Sequence, residues 1–450
     1  MKGRAWMSRA VALAATVFVA GITAGFAYGG EQPPADANAP QTLSEYLKYA
    51  ALHNAGLKAA FEEWKAAMEQ IPQAKALPDP TFTYGYFTEQ LQTRQQAGIM
   101  QMFPWFGKIE ARTDAAAAAA KAAQRRYEAR KLRLFFDVKE AFYEYSYLAG
   151  AIQIAKQNLE LARHYEEVAR TKYLTSMATH PDIVRAQIRI AELQYKLDAM
   201  ERSRDPNVAR LNAVLNRPPD APLPWPRQEP TQPVQVDHRI VVAALKQSNP
   251  ELQAMGFDVE QFRREIDVAR RNFYPDIGLG VEWMKMNIGS MSGSGTDDDV
   301  MLGLQLNLPI WRRSYKAAEL QARAAVRRAQ HEKQNTENEL VARIAGTLYE
   351  YEDSGRRLSL YGDVLVPKAE QLINTSEAAY IAGTADFLNL IDAEQTLLEF
   401  RLERERAWTS RQQRLAELEM LAGTDLSGAS PEPKSSNQAP SEADNAASDR

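Results

Sequence analysis

The chain has 450 residues, 45% of them hydrophobic and 25% charged, and a formal net charge of −4. That is the composition of a folding chain without the basic excess that a nucleic-acid partner would call for. It contains no cysteine, which excludes disulfides, thiolate metal sites, a cysteine nucleophile and lipid attachment at a cysteine.

Lys2, Arg4 and Arg9 precede an apolar run, Ala10 to Ala27, that closes on small residues. This is the pattern of a signal peptide (1–27) cleaved near Ala27, followed by a polar linker (28–41). The alternative is an uncleaved anchor, for which the Ala- and Gly-rich run is of borderline length. Export from the cytoplasm follows on either reading.

A helix is expected over about 42–76, halting at Leu77-Pro78-Asp79. Strand periodicity follows in a hairpin at about 79–105, with Phe82, Tyr84 and Tyr86 on one face. From 108 to 174 there is no proline, and a helix of that length would run about 100 Å. Leu134, Ala141, Leu148, Ala155, Ala162 and Ala169 recur every seven residues along it, the mark of coiled-coil packing. A helix over 181–215 returns antiparallel. The proline-dense stretch within 217–236 then reads as a linker.

The second half repeats the first. Asn54 is echoed by Asn249, Pro78-Asp79 by Pro275-Asp276, Phe103-Pro104 by Leu308-Pro309, and Lys172-Tyr173-Leu174 by Ala379-Tyr380-Ile381. The repeats are therefore 42–216 and 237–423. The second holds a helix (237–273), a hairpin (about 276–309), a long helix (312–381) interrupted only by Pro367, and a returning helix (385–422). Its heptad row is Ile344, Tyr351, Leu358, Leu365, Leu372 and Ala379. In the hairpin, Val300, Leu302, Leu304, Leu306 and Leu308 alternate with Met301, Gly303, Gln305 and Asn307. A run of this length suits a tilted membrane strand, or equally a soluble hairpin with one buried face. The polar stretch 287–299 reads as the connecting loop. The tail, 424–450, has a disordered composition.

Taken in this order, LPDP (77–80), QMFPWFGKIEAR (101–112), LGLQLNLPIW (302–311) and AAYIAGTADFLNLIDAEQ (378–395) resemble the outer-membrane efflux proteins of the TolC type. LPDP and the PWFGK joint are most similar to the heavy-metal CusC/CzcC branch. The resemblance implies a mixed fold of α-helix and membrane β-strand. In it a homotrimer builds a shared twelve-stranded barrel in outer-membrane lipid, continued by a periplasmic coiled-coil tunnel. It also implies a periplasmic adaptor and an inner-membrane RND pump as partners, and a passive efflux conduit for metal ions or small toxic compounds. An ABC-driven secretion channel, or a periplasmic coiled-coil scaffold that conducts nothing, remains an alternative.

No enzymatic constellation stands out, and no cofactor or resident metal is expected: the five histidines are scattered and there is no HExxH, GxSxG or phosphate loop. Met284, Met286 and Met291, with Asp297, Asp298 and Asp299, could tempt a soft-metal reading, but their spacing provides no cage. On the membrane reading Trp105, Phe106 and Trp311 form an interfacial aromatic girdle, and Glu282, Gln305 and Asn307 line the barrel. By resemblance, Tyr380, Asp386, Asn389 and Asp392 fall at the stretch that closes the periplasmic tip, with Asp182 and Arg185 as first-repeat counterparts. Asp392 keeps an acidic ring position there, while Asn389 and Ala385 stand where the family has an acid and a locking arginine. Acids in the first turns of a helix also serve its dipole without any gating role.

Overall fold

The computed structural model describes residues 40–87, 93–227, 234–290 and 293–426. The expected signal peptide, most of the linker after it and the tail beyond Leu426 lie outside the described residues. The first repeat holds α1 (Leu43–His53), α2 (Ala55–Lys75), β1 (Thr81–Tyr86), β2 (Thr93–Phe103), α3 (Lys108–Leu174), α4 (His180–Arg202) and α5 (Arg204–Leu215). The second holds α6 (His238–Ser248), α7 (Pro250–Arg271), β3 (Asp276–Ser290), β4 (Gly293–Asn307) and α8 (Arg312–Ser359). A π-helical turn (Leu360–Leu365), α9 (Val366–Ala382) and α10 (Phe387–Ala422) complete it.

The helices read from sequence as 42–76 and 237–273 each break at an asparagine. Asn54 and Asn249 turn the chain with extended ψ angles of 121° and 118°. Their side-chain carbonyls then cap the next helix, accepting from Leu57 N–H at 2.9 Å and Leu252 N–H at 3.0 Å. Each amide also donates to the end of a returning helix, Asn54 to Val214 O at 2.8 Å and Asn249 to Leu421 O at 2.9 Å. One side chain thus satisfies both helix ends, which accounts for the echo. The helix read as 181–215 breaks as well, at Ser203. Pro206 offers no N–H and crowds the carbonyl a turn before it.

Two matching cores follow from the duplication. Tyr46, Leu57, Val138, Tyr145 and Leu211 build the first, and Val241, Leu252, Ile344, Tyr351 and Leu418 the second. Tyr145 donates to Leu223 O at 3.2 Å and Tyr351 to Val234 O at 2.6 Å, fastening both flanks of the proline-rich linker. A third core, with Tyr165, Ala186, Ile373 and Phe387, lies toward the α3–α4 and α9–α10 turns.

The second repeat closes at Gly423, whose φ of 76° matches the left-handed φ of 59° at its counterpart Asn216. A Cβ on Gly423 would stand 2.6 Å from the Ser248 carbonyl oxygen. Gly423→Ala is therefore expected to cost about 2 kcal/mol or more, from the left-handed backbone and the clash together. Gly383→Ala has a similar φ of 79° but open space around the new carbon, and should cost about 1–2 kcal/mol. Thermal unfolding followed by circular dichroism would compare the two; equal losses would remove the clash from the account.

The second long helix departs from its sequence reading. Its heptad row does not continue from Leu358 into Leu365, Leu372 and Ala379. Leu372 is 45% exposed, whereas Val366, Ile373 and Tyr380 are buried. The π-helical turn just before Pro367 takes up one extra residue, so the buried row advances by one position. α3 has no such interruption.

The strands form one antiparallel sheet in the order β1-β2-β3-β4. Most of the stretch read as a polar loop is paired strand: Asn287 faces Thr296, and Asp299 faces Met284. The ladder is made by backbone groups, so glycine, serine and aspartate can extend it without an apolar face. The hairpins are registered alike. Thr81 faces Met100, and their repeat counterparts Gly278 and Gln305 face each other. One face of the sheet carries Phe82, Ile99, Leu279, Leu302, Leu304 and Leu306, all at least half exposed. Gln101 lies on this apolar face opposite Leu279. Its amide is accounted for: Nε2 donates to Pro78 O at 2.7 Å and to Met102 O at 2.9 Å.

Candidate functional site

Where the sheet meets the helices, the two repeats clasp one another. Asp276, at the head of β3, accepts from Lys108 Nζ at 2.7 Å and from Trp105 N–H at 2.9 Å. Lys108, the first residue of α3, also donates to Tyr274 O at 2.9 Å and is only 4% exposed. Trp105 stacks on Tyr274 with centroids 5.7 Å apart and an interplanar angle of 7°. Gly107 has a φ of 76°, which lets the chain enter α3. Arg271 closes the joint by donating to Phe106 O at 3.2 Å. Two turns into α8, Lys316, Arg323 and Arg270 surround Glu319 and hold its carboxyl down to about 2. Sequence reading singled out the Pro-Asp pair and PWFGK separately. It missed that they meet, because Lys108 and Asp276 belong to different repeats.

The girdle residues divide. Phe106 and Trp311 are 82% and 75% exposed, whereas Trp105 is half-buried in the joint. Glu282, Gln305 and Asn307 share the face opposite the apolar one, set against Met301, Gly278 and Asp276.

At the other end of the long helices, Tyr380 is buried, edge-on to Phe387 at 5.2 Å, and its hydroxyl has no hydrogen-bond partner among the described residues. Burial, with the Asp182 charge behind it, pushes the phenol up to about 12. Asp182 caps α4 by accepting from Thr179 N–H at 3.1 Å, and Arg185 lies 3.6 Å from its other oxygen. Asp386 stands just before α10 as its cap residue, and Asn389 and Asp392 follow at three-residue steps on the exposed side. Tyr380, Asp182 and Arg185 are thus gathered, while the Asp386, Asn389 and Asp392 side chains form no ion pair among the described residues.

Sequence reasoning missed Lys172. It is 8% exposed at the end of α3. It donates to Tyr380 O and, at 3.3 Å, to Ile381 O, with Nζ 4.4 Å from the Tyr380 ring centre. A cation there satisfies the open carbonyls at the end of α9. It was visible only as part of the echo Lys172-Tyr173-Leu174. Deeper in, Glu394 of α10 is fully buried against Arg189 of α4, with Nε–Oε2 at 2.7 Å, and Asn158 of α3 donates to the same carboxylate. Burial pushes the Glu394 carboxyl up, and Arg189 pulls it partly back.

The outer membrane efflux protein family matches residues 47–217 and 241–424. The chain is 22% identical over 385 residues to the cobalt-zinc-cadmium resistance protein CzcC of Cupriavidus metallidurans, covering 82% of this chain and 87% of that one. Its fold is similar to that of the outer membrane protein VceC from Vibrio cholerae, at 19% identity and a TM-score of 0.70, covering 85% of this chain and 96% of VceC. It is similar also to the open state of the Neisseria gonorrhoeae MtrE outer membrane channel, at 18% identity and a TM-score of 0.69, covering 88% and 97%. The matched segments cover nearly all of both repeats, and the chain belongs to the outer membrane efflux protein family.

Proposed function

We propose that this efflux protein is the passive outer-membrane conduit of a tripartite system. Three copies close a twelve-stranded barrel, and the long helices carry the channel into the periplasm toward an adaptor and an RND pump. The observation that carries this reading is the sheet: its apolar face has Leu302 81% and Leu304 67% exposed, and lipid is the medium that would cover it. Among the described residues no helix is long and apolar enough to cross a membrane; on this reading the strands are the spanning elements. The opposite face, with Glu282, Gln305 and Asn307, lines the water-filled bore. Phe106 and Trp311 sit at the lipid boundary.

Likeness to CzcC favours metal cations as cargo, and no chemistry is assigned to this chain. The tip is the constriction. Asp392, repeated by symmetry, presents a ring of carboxylates that favours cations, while Asp386, Asn389 and the Tyr380–Asp182–Arg185 group set its width. Reconstituted in planar bilayers, the protein is expected to conduct, and Asp392→Ala to raise conductance and lower cation selectivity. Unchanged currents would remove the ring from the account. Recovery of the protein as a soluble monomer would defeat the channel reading itself.

A further inference from the structure

The joint is complete at one of its two repeat positions. Lys108, heading α3 in the first repeat, holds Asp276, heading β3 in the second. The duplication places Arg313 where Lys108 stands, counted from Pro104 and Pro309, and Asp79 where Asp276 stands, counted from Pro78 and Pro275. Within one copy these counterparts cannot meet as Lys108 and Asp276 do. β2 and β3 are neighbours, but β4 and β1 are the two open edges of the sheet. Asp79 and Arg313 are both exposed, and neither side chain has an ion pair or hydrogen bond among the described residues.

We propose that a second copy of this chain completes the joint, Arg313 of one protomer engaging Asp79 of the next where β4 docks on β1. This rests on reading the protein as a ring of copies. The register is set by the β2–β3 ladder, in which Gln101 faces Leu279 and Phe103 faces Ile277. Carried over by the repeat, it sets Leu306 opposite Phe82 and Leu304 opposite Tyr84 of the next protomer. All four belong to the apolar face and are exposed, so the transferred register continues that face without a slip. The counterparts of the stacked Trp105 and Tyr274 are Ile310 and Leu77, which are 67% and 46% exposed and would cover one another. One contact does not repeat: Ile310 N–H, the counterpart of Trp105 N–H, already donates to Leu308 O at 2.9 Å. The ion pair and the Leu77 carbonyl are then the polar partners left for Arg313.

Because the chain lacks cysteine, paired substitutions can test the register without background. Directly opposed strand residues have Cβ atoms about 4.5–5.5 Å apart, so F82C/L306C, oxidised or bridged by a short thiol-reactive linker, should give covalent oligomers on a boiled, non-reducing gel. F82C/L302C should give none. For the ion pair, Asp79→Arg and Arg313→Asp should each lower the temperature at which the unboiled oligomer dissociates, and the double reversal should restore it. Absence of covalent species from F82C/L306C, in a protein whose wild type runs as an oligomer, overturns the register. A double reversal worse than either single one overturns the ion pair. A wild type that runs as a monomer without boiling removes the ring itself, and with it the channel reading.

Discussion

Glu394→Leu is expected to lower stability by about 3–5 kcal/mol, the range for leaving one member of a buried ion pair without its partner. Glu394 is fully buried, and the Arg189 guanidinium it would abandon is 4% exposed and would keep only the surface Glu192 carboxylate, at 3.3 Å. Asn158 would lose its acceptor as well, and a buried donor without one costs about 1–3 kcal/mol. Arg189→Met should cost at least as much as Glu394→Leu, since the Glu394 carboxylate then keeps no ion pair among the described residues, whereas Arg189 keeps Glu192 in the other variant. The double variant R189M/E394L removes both charges and fills the space with carbon, leaving only the Asn158 amide to satisfy. It should recover most of the loss, within about 2 kcal/mol of wild type. Glu394→Gln, which keeps an acceptor for Asn158, should be milder than Glu394→Leu. Thermal unfolding of the helices in detergent, followed at 222 nm, measures the series. A double variant no better than either single one would show that packing and not charge controls the site.

Asp276→Ala is the second large effect, expected at about 2–3 kcal/mol after allowing for the partial exposure of the carboxylate. Its side chain is 24% exposed, against 5% for that of Lys108. Removal strands the Lys108 ammonium, which keeps only Tyr274 O, and leaves Trp105 N–H without its acceptor. Asp276→Asn retains an acceptor for Trp105 and should lose about half as much. Lys108→Met should cost less than Asp276→Ala, because the carboxylate it leaves behind is closer to water and still accepts from Trp105. The ordering Asp276→Ala, Lys108→Met, Asp276→Asn, from most to least damaging, can be read from the same unfolding curves. Lys108→Met as the most damaging would place the weight of the joint on the lysine's contact with Tyr274 O.

What the sequence carried was whatever repeats locally. Alternation through Val300–Leu308 and the seven-residue spacing from Leu134 to Ala169 are properties of single elements, each with its own period. The echo of Asn54 by Asn249 was visible because two copies of one unit solved the same capping problem with the same residue. Four kinds of feature were not legible. Pairing of the Gly/Ser/Asp stretch rests on backbone hydrogen bonds, which leave no hydrophobic trace. Lys108–Asp276 and Arg189–Glu394 join residues far apart in the chain, and a charged residue does not announce its partner. The added residue at Leu360–Leu365 shifts a helical face without changing its composition, so Leu372 was read as buried where Ile373 is. At the tip, Lys172 gave no more signal than any lysine near a helix end, and its burial depends on where α9 stops.

The π-helical turn has a consequence for angular phase. Each residue of an α-helix advances the azimuth by about 100°, and the wider π turn absorbs one extra residue, so the helix below it keeps the orientation set above it. Below the turn, that orientation points Tyr380 inward, while Tyr173, its counterpart on the uninterrupted α3, is 45% exposed. Removing one residue from 360–365 would leave Tyr351 and Val366 two heptads apart in an uninterrupted α-helix, so Val366, Ile373 and Tyr380 would stay inward and Tyr380 would keep its place beside Lys172. Forcing the same stretch into regular α-helix with every residue kept would instead turn Leu372 and Ala379 inward.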